Sequence, residues 1–370
     1  MKRKIAAVTS SRADFSHLYW PLRELAARPE IDLKIVAMGP HLSPEFGFTA
    51  SEIEKAGFAI DARVECLLSS DSDIGMAKTI GVATLGLADC LGQMRPDLLL
   101  LIADRYEMLA PASVALALRI PIAHIEGGEI SEGAIDDAVR NGLTKLSHVH
   151  FTSTEQARTR VVAMGEQEWR VHRAGAPSLD HLRRSALLPP AAGQKAVIVA
   201  YHPTTIARDT IREADALFTA LKSVEGQLVF CYPNADAGSR ALVARASEFL
   251  DRRGNGRVFV NLDPVAYWSL LRDAQFMLGN SSSGIMEAAS FAIPAVNVGI
   301  RQRGREHGRN VLDADATVDS ILSCVAKAAD PIFRGSLRGM ENPYGDGHAA
   351  ERIAAVLATV PLGEELLIKR

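Results

Sequence analysis

A group of carboxylate residues in the first half of the chain is the part of the sequence best suited to chemistry. The group comprises Asp104, Glu126, Glu129, Asp136 and Asp137, with Arg105 beside the first of them. Carboxylates crowded into one pocket raise one another's pKa, so such a set can supply both an acid and a base near neutral pH. The pattern favours removal and return of a proton at a carbon next to an activated centre.

Each of these residues also has a purely structural interpretation. Asp104 and Arg105 could form an ion pair with each other, and Glu126 could simply occupy a turn. Asp136 could cap a helix, with Asp137 placed to interact favourably with the helix dipole. These interpretations compete well for any single residue, whereas for the whole set we favour chemistry.

A segment rich in glycine and serine, GNSSSG, lies in the second half between an apolar run and a predicted helix. It contains Ser281, Ser282, Ser283 and Gly284. Backbone N–H groups at the positive end of a helix dipole bind phosphate, and the serine hydroxyls add donors. Glu287, one turn later, could accept hydrogen bonds from a ribose. A plain helix cap would explain one serine but not three, so we interpret the segment as a diphosphate site.

Three further polar residues follow apolar runs. His202, in the sequence YHPTT, could donate a hydrogen bond to a phosphate or protonate a leaving group. A structural role at the start of a loop explains this histidine equally well. Arg12 and Arg301 follow the first and last predicted strands, and a guanidinium fork suits phosphates. The two arginines come from opposite halves of the chain, so a ligand between the halves could meet both.

Short apolar runs that alternate with longer amphipathic segments must position these residues. The runs that predict β-strands are Ile5–Thr9, Leu33–Met38, Leu98–Ala103, Ile120–His124, His150–Thr152, Val197–Ala200, Leu228–Cys231, Val258–Asn261, Phe276–Gly279 and Ala295–Val298. Nearly continuous apolar strands separated by helices predict parallel sheets that are covered on both faces. Doubly wound sheets bind ligands at the carboxyl ends of their strands, and the polar clusters lie at those ends.

Bulk properties exclude several classes of protein. A length of 370 residues predicts two domains, and a net charge of −3 gives no global attraction to nucleic acid or anionic membranes. The four cysteines lie far apart without a CxxC pair, so we expect neither a zinc site nor a disulfide framework, and the reducing cytoplasm fits best. We find no stretch that approaches the roughly 20 apolar residues that span a bilayer.

With these residues in view, the chain resembles the hydrolysing UDP-N-acetylglucosamine 2-epimerases of bacterial sialic-acid pathways and the epimerase half of the bifunctional animal enzyme. The segments that carry the resemblance keep the family order and span almost the whole chain. They are SRADFSHL, HLSPEFG, PDLLLLIADRYEML, HIEGGE, GAIDDAVRNGLTKLSHVHF, HPTT, YPNADAGS, MLGNSSSGIMEAASF, VNVGIRQRGRE and NPYGDGHAAERI.

The resemblance implies an α/β, GT-B-like fold of two Rossmann-like, doubly wound domains with the active site in the cleft between them. We expect the N-terminal domain at 1–185, with the acid–base residues, and the C-terminal, UDP-binding domain at 193–345. The segment LLPPAAGQ is the linker candidate between them. A helix within 346–370 is expected to pack back on the N-terminal domain.

The resemblance also implies a reaction. UDP would be eliminated from UDP-GlcNAc after proton removal at C2, and water would add to the resulting glycal with reprotonation from the other face. Asp104, Glu126 and Asp136 would be the acid–base groups, with Glu129 and Asp137 as supporting neighbours; which carboxylate removes the proton stays open. His202 would assist the departure of UDP. The remaining residues expected to contact UDP or the sugar are Arg12, Arg105, Asn234, Asp236, Ser281, Ser282, Ser283, Gly284, Glu287 and Arg301.

The resemblance implies neither a nicotinamide cofactor nor an obligatory metal, and a homodimer or homotetramer as the assembly. Three departures from the family pattern lie on the sugar side: Ala103 replaces a glycine, Asn141 replaces a histidine, and Met38–His41 replaces a TGMH sequence. A modified sugar, such as a 2,4-diacetamido-trideoxyhexose, is therefore an alternative substrate. Two other classes stay open, a GT-B glycosyltransferase that needs an acceptor and an inactive UDP-sugar-binding protein. A non-hydrolysing epimerase is disfavoured because HIEGGE stands where that group has HVEAGLR.

Overall fold

The computed structural model describes residues 2–68, 72–130, 135–190, 196–202, 210–232, 239–260 and 262–369. The chain forms two compact units. The first contains Met1–His181 together with Gly347–Arg370, and the second contains Leu182–Asp346. The C-terminal segment therefore folds with the N-terminal part of the chain.

The first unit is built on a parallel sheet. Its elements are β1 (Arg3–Thr9), α1 (Arg12–Ala26), β2 (Ile31–Met38), α2 (Ala50–Lys55), β3 (Ala62–Val64), α3 (Asp73–Met94), β4 (Leu98–Ile102), α4 (Leu109–Leu118), β5 (Ile122–Ile125), α5 (Ile135–Leu146), β6 (Val149–Thr152), α6 (Glu155–Ala163), β7 (Val171–Arg173) and α7 (Ser178–Arg184), which runs into the second unit. The strand order is β3-β2-β1-β4-β5-β6-β7. The order reverses between β1 and β4, and a doubly wound sheet binds its ligand at the carboxyl ends of the strands beside such a point.

The second unit repeats this plan. Its elements are β8 (Val197–Ala200), α8 (Thr210–Leu221), β9 (Leu228–Tyr232), α9 (Ser239–Arg253), β10 (Gly256–Val260), α10 (Pro264–Asp273), β11 (Phe276–Gly279), α11 (Ser282–Ile285), α12 (Glu287–Ser290), β12 (Ala295–Val298), β13 (Val311–Ala314), α13 (Val318–Ala329) and α14 (Pro331–Ser336). The sheet order is β10-β9-β8-β11-β12-β13, so the order reverses between β8 and β11. The chain then returns to the first unit through α15 (Ala349–Thr359) and α16 (Glu364–Leu367).

Both faces of the first sheet are buried, because successive side chains along a strand point to opposite faces. Leu98 and Leu100 of β4 belong to one core, which includes Leu22 of α1 and Ile353 of α15. Leu99 of β4 belongs to the other core, with residues of α3, α4 and α5. The second unit has a core of its own, formed by β8, β9, β11, α8 and α13. The continuous apolar strands read in the sequence thus match sheets covered on both sides.

Helix α3 corrects the expectation that no stretch reaches membrane-spanning length. By length and composition it is the one helix among the described residues that could cross a membrane, with a mean hydropathy of 1.4 over its most apolar window. Its residues Ala83, Leu87 and Leu91 are fully buried in the core of the first unit. The helix therefore has an apolar face that the fold uses for packing.

Candidate active site

The loop after β1 is organised by Asp14. Ser11 caps α1, and its hydroxyl accepts a hydrogen bond from the Asp14 N–H at 3.3 Å. The Asp14 carboxylate in turn accepts hydrogen bonds from the Ser10 hydroxyl at 2.7 Å and from the Ser11 N–H at 3.1 Å. Burial raises the pKa of Asp14, although these hydrogen bonds and the charge of Arg105 lower it in part. Arg12, the first residue of α1, has a largely exposed side chain that pairs with Glu52 at 3.5 Å.

Asp104 follows β4 and forms an ion pair with Arg140 of α5. Arg140 is only 4% exposed, and its guanidinium also donates to the Glu129 carbonyl at 2.9 Å and to Asp137 Oδ1 at 3.3 Å. Arg105 pairs instead with the buried Glu107 at 2.7 Å. The predicted alternative of an Asp104–Arg105 pair is therefore wrong, because the buried Arg140 of α5 pairs with Asp104 and Glu107 pairs with Arg105.

The carboxylates converge on Asp104. Burial raises the pKa of Asp104, Arg140 lowers it, and the charges of Asp136, Glu126 and Asp14 raise it further. Four carboxylates, from the first turns of α1 and α5 and from the loops after β4 and β5, therefore interact electrostatically. This is the arrangement in which one carboxyl group can hold a proton near neutral pH while a neighbour stays ionised.

Glu126 lies directly after β5 in an unusual backbone conformation, with a φ of +66°. Its Oε1 lies 2.8 Å from Nδ1 of His17, and its side chain is 13% exposed. In the same turn, a Cβ atom added to Gly128 would lie 2.3 Å from the Ala157 carbonyl oxygen, so only glycine fits there. Glu129 is 9% exposed. The HIEGGE segment thus places Glu126 at the strand end and turns sharply away.

Asp136 and Asp137 lie in the first turn of α5, where their negative charges interact favourably with the positive end of the helix dipole. Asp136 is exposed. Asn141, which stands where the family pattern has a histidine, lies with its Nδ2 3.5 Å from Asp137 Oδ2. The interpretation of Asp136 as a helix cap is wrong, because α5 begins at Ile135 and Asp136 is its second residue, whereas Asp137 does lie in the first turn as expected. The charge of Asp136 also acts on Asp104.

Two buried histidines support the strand ends, and neither was predicted from the sequence to be a site residue. Nε2 of His124 donates to the carbonyl of Ala103 at 2.8 Å, and burial lowers the pKa of His124 to about 4. His41, fully buried, contacts the hydroxyl groups of Thr9 and Thr49 at 2.9 and 2.8 Å. Burial lowers its pKa to about 4 as well. Both rings are therefore neutral at neutral pH.

In the second unit, the GNSSSG segment follows β11. Gly279 has a φ of +142°, and a Cβ atom there would lie 2.1 Å from the Ala200 carbonyl oxygen. Ser281 caps α11, its hydroxyl accepting from the Ser283 N–H at 3.3 Å. Tyr267 of α10 donates its hydroxyl hydrogen to Ser283 Oγ at 2.8 Å. Both the main-chain N–H and the hydroxyl group of Ser283 therefore have hydrogen-bond partners.

The helix predicted after this turn is broken. The residues form two four-residue helices, α11 and α12, that meet at Met286, and Glu287 is the first residue of α12. A long helix dipole is therefore not available to a phosphate here. The serine hydroxyls and the N–H groups of the turn remain as donors, with Gly284 buried behind them.

His202 follows β8 and is joined to the serine turn. Its N–H donates to Asn280 Oδ1 at 2.7 Å, and Asn280 Nδ2 donates to the His202 carbonyl at 2.8 Å. The Asn280 carbonyl accepts from Arg301 Nη1 and from Gln302 Nε2, each at 2.9 Å. The ends of β8, β11 and β12 therefore carry His202, the serine turn and Arg301 as one connected group. Asn234, Asp236 and the PTT that follows His202 lie outside the described residues.

A cavity of about 240 Å³ lies at the ends of β12 and β13. Arg303 and Arg305 line it, together with a hydrogen-bonded group in which Asp313 accepts from Asn297 at 2.8 Å and pairs with His307 at 3.1 Å. Among the residues that the structure describes, no group of three or more histidines, cysteines or carboxylates is placed to hold a metal ion.

Fold and site together define a GT-B-like α/β enzyme, with two doubly wound units whose polar groups gather where each strand order reverses. A family model described as UDP-N-acetylglucosamine 2-epimerase matches residues 23–358. The chain belongs to this family, as the resemblance read from its motifs predicted.

The names of related proteins specify the sugar nucleotide as well as the reaction. The chain is 36% identical to a UDP-N,N'-diacetylbacillosamine 2-epimerase (hydrolyzing) of Legionella pneumophila, covering 100% of this chain and 99% of the relative. It is 35% identical to a GDP/UDP-N,N'-diacetylbacillosamine 2-epimerase (hydrolyzing) of Campylobacter jejuni, covering 85% of each chain. A UDP-N-acetylglucosamine 2-epimerase of Neisseria meningitidis is 30% identical, with 90% of this chain and 91% of the relative covered.

Solved structures confirm the fold class. A putative UDP-N-acetylglucosamine 2-epimerase from Listeria monocytogenes superimposes with a TM-score of 0.79 at 17% identity, covering 96% of both chains. The UDP-GlcNAc 2-epimerase from Neisseria meningitidis bound to UDP-GlcNAc gives a TM-score of 0.75 at 17% identity, covering 96% of this chain and 99% of that chain.

Proposed function

We propose that this enzyme is a hydrolysing 2-epimerase that acts on a UDP-linked 2,4-diacetamido-trideoxyhexose, UDP-N,N'-diacetylbacillosamine, in preference to UDP-GlcNAc. The observation that carries the proposal is the convergence of Asp104, Glu126 and Asp136 beside Arg140. Such a set suits proton exchange at C2 of an amino sugar. The similarity to two relatives named for the diacetamido sugar supports the choice of substrate.

In the first half of the proposed reaction, one carboxylate removes the proton from C2. The electron pair of the C2–H bond forms a C1=C2 double bond, the C1–O bond breaks, and its electrons leave with UDP. His202 donates to the departing diphosphate, while Ser282, Ser283 and Arg301 hold it. Hydrogen bonds and positive charge that strengthen as the leaving oxygen becomes anionic favour this step.

In the second half, a carboxylate takes a proton from water as the water oxygen bonds to C1 of the glycal. A carboxylic acid on the other face returns a proton to C2, which inverts that centre and yields a free manno-configured sugar. A carboxyl group with a raised pKa, as burial and neighbouring charges produce at Asp104, is suited to hold a proton for this purpose.

The choice of sugar rests also on the three departures from the family pattern. Ala103 precedes the acid–base residue Asp104, Asn141 contacts Asp137, and the Met38–His41 segment contains the buried His41. All three belong to the first unit, which we propose to hold the sugar. The second unit keeps its serine turn, so we propose that the nucleotide is the usual one and the sugar is modified.

The test is a comparison of UDP release from the two sugar nucleotides by anion-exchange chromatography. We expect kcat/KM for UDP-N,N'-diacetylbacillosamine to exceed that for UDP-GlcNAc by at least about tenfold, because added contacts to a second acetamido group favour its transition state. Equal or reversed values would overturn the substrate assignment. Formation of an epimerised UDP-sugar without free UDP would overturn the hydrolysing reaction.

Three further parts belong to the proposal. The resemblance supports entry of the free sugar into nonulosonic-acid synthesis and a homodimer or homotetramer as the assembly. The four separated cysteines support action in the cytoplasm. Light scattering on the purified protein measures the mass of the assembly directly, and the mass of a monomer would contradict the proposed homo-oligomer.

A further inference from the structure

Asn280 joins two strand ends through its side chain. It is fully buried and directly follows β11. The parallel ladder between β8 and β11 ends where Gly279 pairs with Ala200, and the Asn280 N–H donates to the Ala200 carbonyl at 3.1 Å. Beyond that point, the Asn280 side chain takes over the pairing. It accepts from the N–H of His202 at 2.7 Å and donates to the carbonyl of His202 at 2.8 Å.

The main chain of Asn280 is fixed as well. Its carbonyl accepts hydrogen bonds from Arg301 and from the buried Gln302, each at 2.9 Å. Gly279 allows the close approach that these contacts need, because a Cβ atom there would lie 2.1 Å from the Ala200 carbonyl oxygen. The asparagine therefore cannot shift without breaking contacts to two other strand-end loops.

The side chain at this position must both donate and accept. Aspartate keeps the acceptor but loses the N–H donor that satisfies the His202 carbonyl, and alanine loses both groups. A buried polar group that loses its partner is destabilised by about 1–3 kcal/mol. Only the carboxamide of asparagine satisfies both main-chain groups of His202 at the distances observed.

We infer that Asn280 is a positioning residue that acts through His202, holding its main chain so that the imidazole reaches the departing diphosphate. This inference rests on the proposed function of His202. It differs from a role in shaping the serine turn, since the two side-chain hydrogen bonds go to the His202 loop and not to the serines.

A double-mutant cycle tests the inference. The proteins are wild type, Asn280→Ala, His202→Ala and the double variant, assayed for UDP release from UDP-N,N'-diacetylbacillosamine. We expect each single variant to lower kcat by roughly 10–100-fold with KM changed only a few-fold. The double variant should fall no more than about threefold below His202→Ala, because residues that act as one unit are non-additive.

A matched control separates positioning from general damage. Asn310 is also fully buried in the second unit, where its Nδ2 donates to the Ile293 carbonyl at 3.0 Å. Asn310→Ala should lower the melting temperature as Asn280→Ala does and leave kcat unchanged. Asn280→Asp, which keeps the acceptor, serves if the alanine variant fails to fold, and its kcat loss should also vanish in the His202→Ala background.

Two results would overturn the inference. One is a kcat loss in the double variant equal to the product of the single losses. The other is a weakening of UDP binding by Asn280→Ala that persists in the His202→Ala background, which would place the effect at the serine turn. If wild type releases UDP from neither sugar nucleotide, the proposed function fails. The coupling between Asn280 and His202 is then tested by NMR. Addition of UDP should shift the signals of the His202 imidazole in the wild type, and Asn280→Ala must abolish this shift.

Discussion

Two left-handed backbone positions lie at the candidate acid–base groups, one directly before Asp104 and one at Glu126 itself. Ala103, directly before Asp104, has a φ of +60°, and Glu126 has a φ of +66°. This conformation costs a residue with a side chain about 1–2 kcal/mol. The surrounding structure holds Ala103 through a hydrogen bond from its N–H to Ile125 and one from His124 to its carbonyl. Strain of this kind concentrates at functional sites.

Replacing Ala103 with glycine should therefore stabilise the protein. Glycine adopts a positive φ without steric cost, and we expect a gain of about 0.5–1 kcal/mol in the free energy of unfolding from urea titration. Ala292, with a φ of +53° in the second unit, is the matched control, and Ala292→Gly should give a similar gain. A loss of stability in Ala103→Gly alone would show that the Ala103 side chain contributes packing that outweighs the strain.

Asp104 should be indispensable for turnover. We expect Asp104→Asn to abolish UDP release while the dissociation constant for UDP, measured by calorimetry, stays within a few-fold. The reason is that the amide can neither take up nor return a proton, whereas the diphosphate contacts lie on other residues. Asp89→Asn, at an exposed position of α3, is the control. Surviving activity in Asp104→Asn would show that the acid–base assignment is wrong.

The partners of these residues could not be predicted from the sequence. Arg140 beside Asp104, His17 beside Glu126 and Tyr267 beside Ser283 come from other elements. The spacing of apolar residues in the sequence places a residue on a strand end or a helix face. Which side chain lies opposite that residue depends on how the elements pack. The signal that could have found Arg140 was its place one turn after Asp136 on the same side of α5.

At the scale of elements, the apolar strands whose residues are all buried were predictable from their nearly continuous apolar runs, namely β4, β8, β9, β11 and β12. The short strands β3, β7 and β13 were missed, since their partly exposed burial patterns contain no apolar run. The broken helix after the serine turn was missed because the residues around the break, in the sequence MEAA, are good helix formers and give no local signal for the break at Met286.

The serine turn after β11 should account for much of the affinity for UDP. We expect Ser282→Ala with Ser283→Ala to weaken UDP binding by about 1–3 kcal/mol, the range for lost hydrogen bonds to a charged group. Calorimetry with UDP measures this change in affinity. Ser290→Ala, at an exposed position of α12, is the control. Unchanged affinity in the double variant would place the diphosphate elsewhere.

The C-terminal residues are anchored by an ion-pair network around Glu166. Lys145 and Lys369 each lie 2.8 Å from the buried Glu166 carboxylate, and His150 contacts it at 3.1 Å. Burial alone would raise the pKa of Glu166, but the hydrogen bonds from His150, Lys145 and Lys369 outweigh it and lower the pKa to about 2. Because the folded-state pKa is depressed, the stabilisation is complete above the ordinary glutamate pKa and disappears as the pH falls towards 2.

Glu166→Gln should therefore destabilise the protein in a pH-dependent way. We expect a loss of roughly 2–4 kcal/mol at pH 7, from removal of one partner of a buried ion pair. The difference between wild type and variant in denaturant titrations should shrink as the pH is lowered from about 5 towards 3. Glu168→Gln, at a side chain that is 76% exposed, is the control. A difference that does not change with pH would contradict the network.

At the scale of the whole molecule, the first unit is discontinuous in sequence. Helix α15 contributes Ile353 and Leu357 to the core that also contains Leu18 and Leu22 of α1. Asp180 accepts hydrogen bonds from the first N–H groups of α15, at 3.0 Å from Ala349 and 3.2 Å from Ala350. The resemblance implied that a final helix packs on the N-terminal domain, as α15 does, but the particular residues it contacts follow only from the three-dimensional packing.

Ile353→Ala should destabilise the first unit by about 2–5 kcal/mol, the usual effect of a cavity in a packed core. In a Trp268→Phe background, tryptophan fluorescence reports only on Trp20 and Trp169 of the first unit, and its urea midpoint should fall. Leu362→Ala, at a residue 38% exposed, should change the midpoint little. An unchanged midpoint for Ile353→Ala would show that α15 is not part of this core.

The central claim is that the enzyme exchanges the proton at C2 and releases UDP. The most direct measurement is proton NMR of the wild-type protein with UDP-N,N'-diacetylbacillosamine in D₂O. We predict free UDP together with a free manno-configured sugar that carries deuterium at C2. A sugar released with hydrogen retained at C2, or no UDP release from a protein that still binds UDP, would contradict the claim.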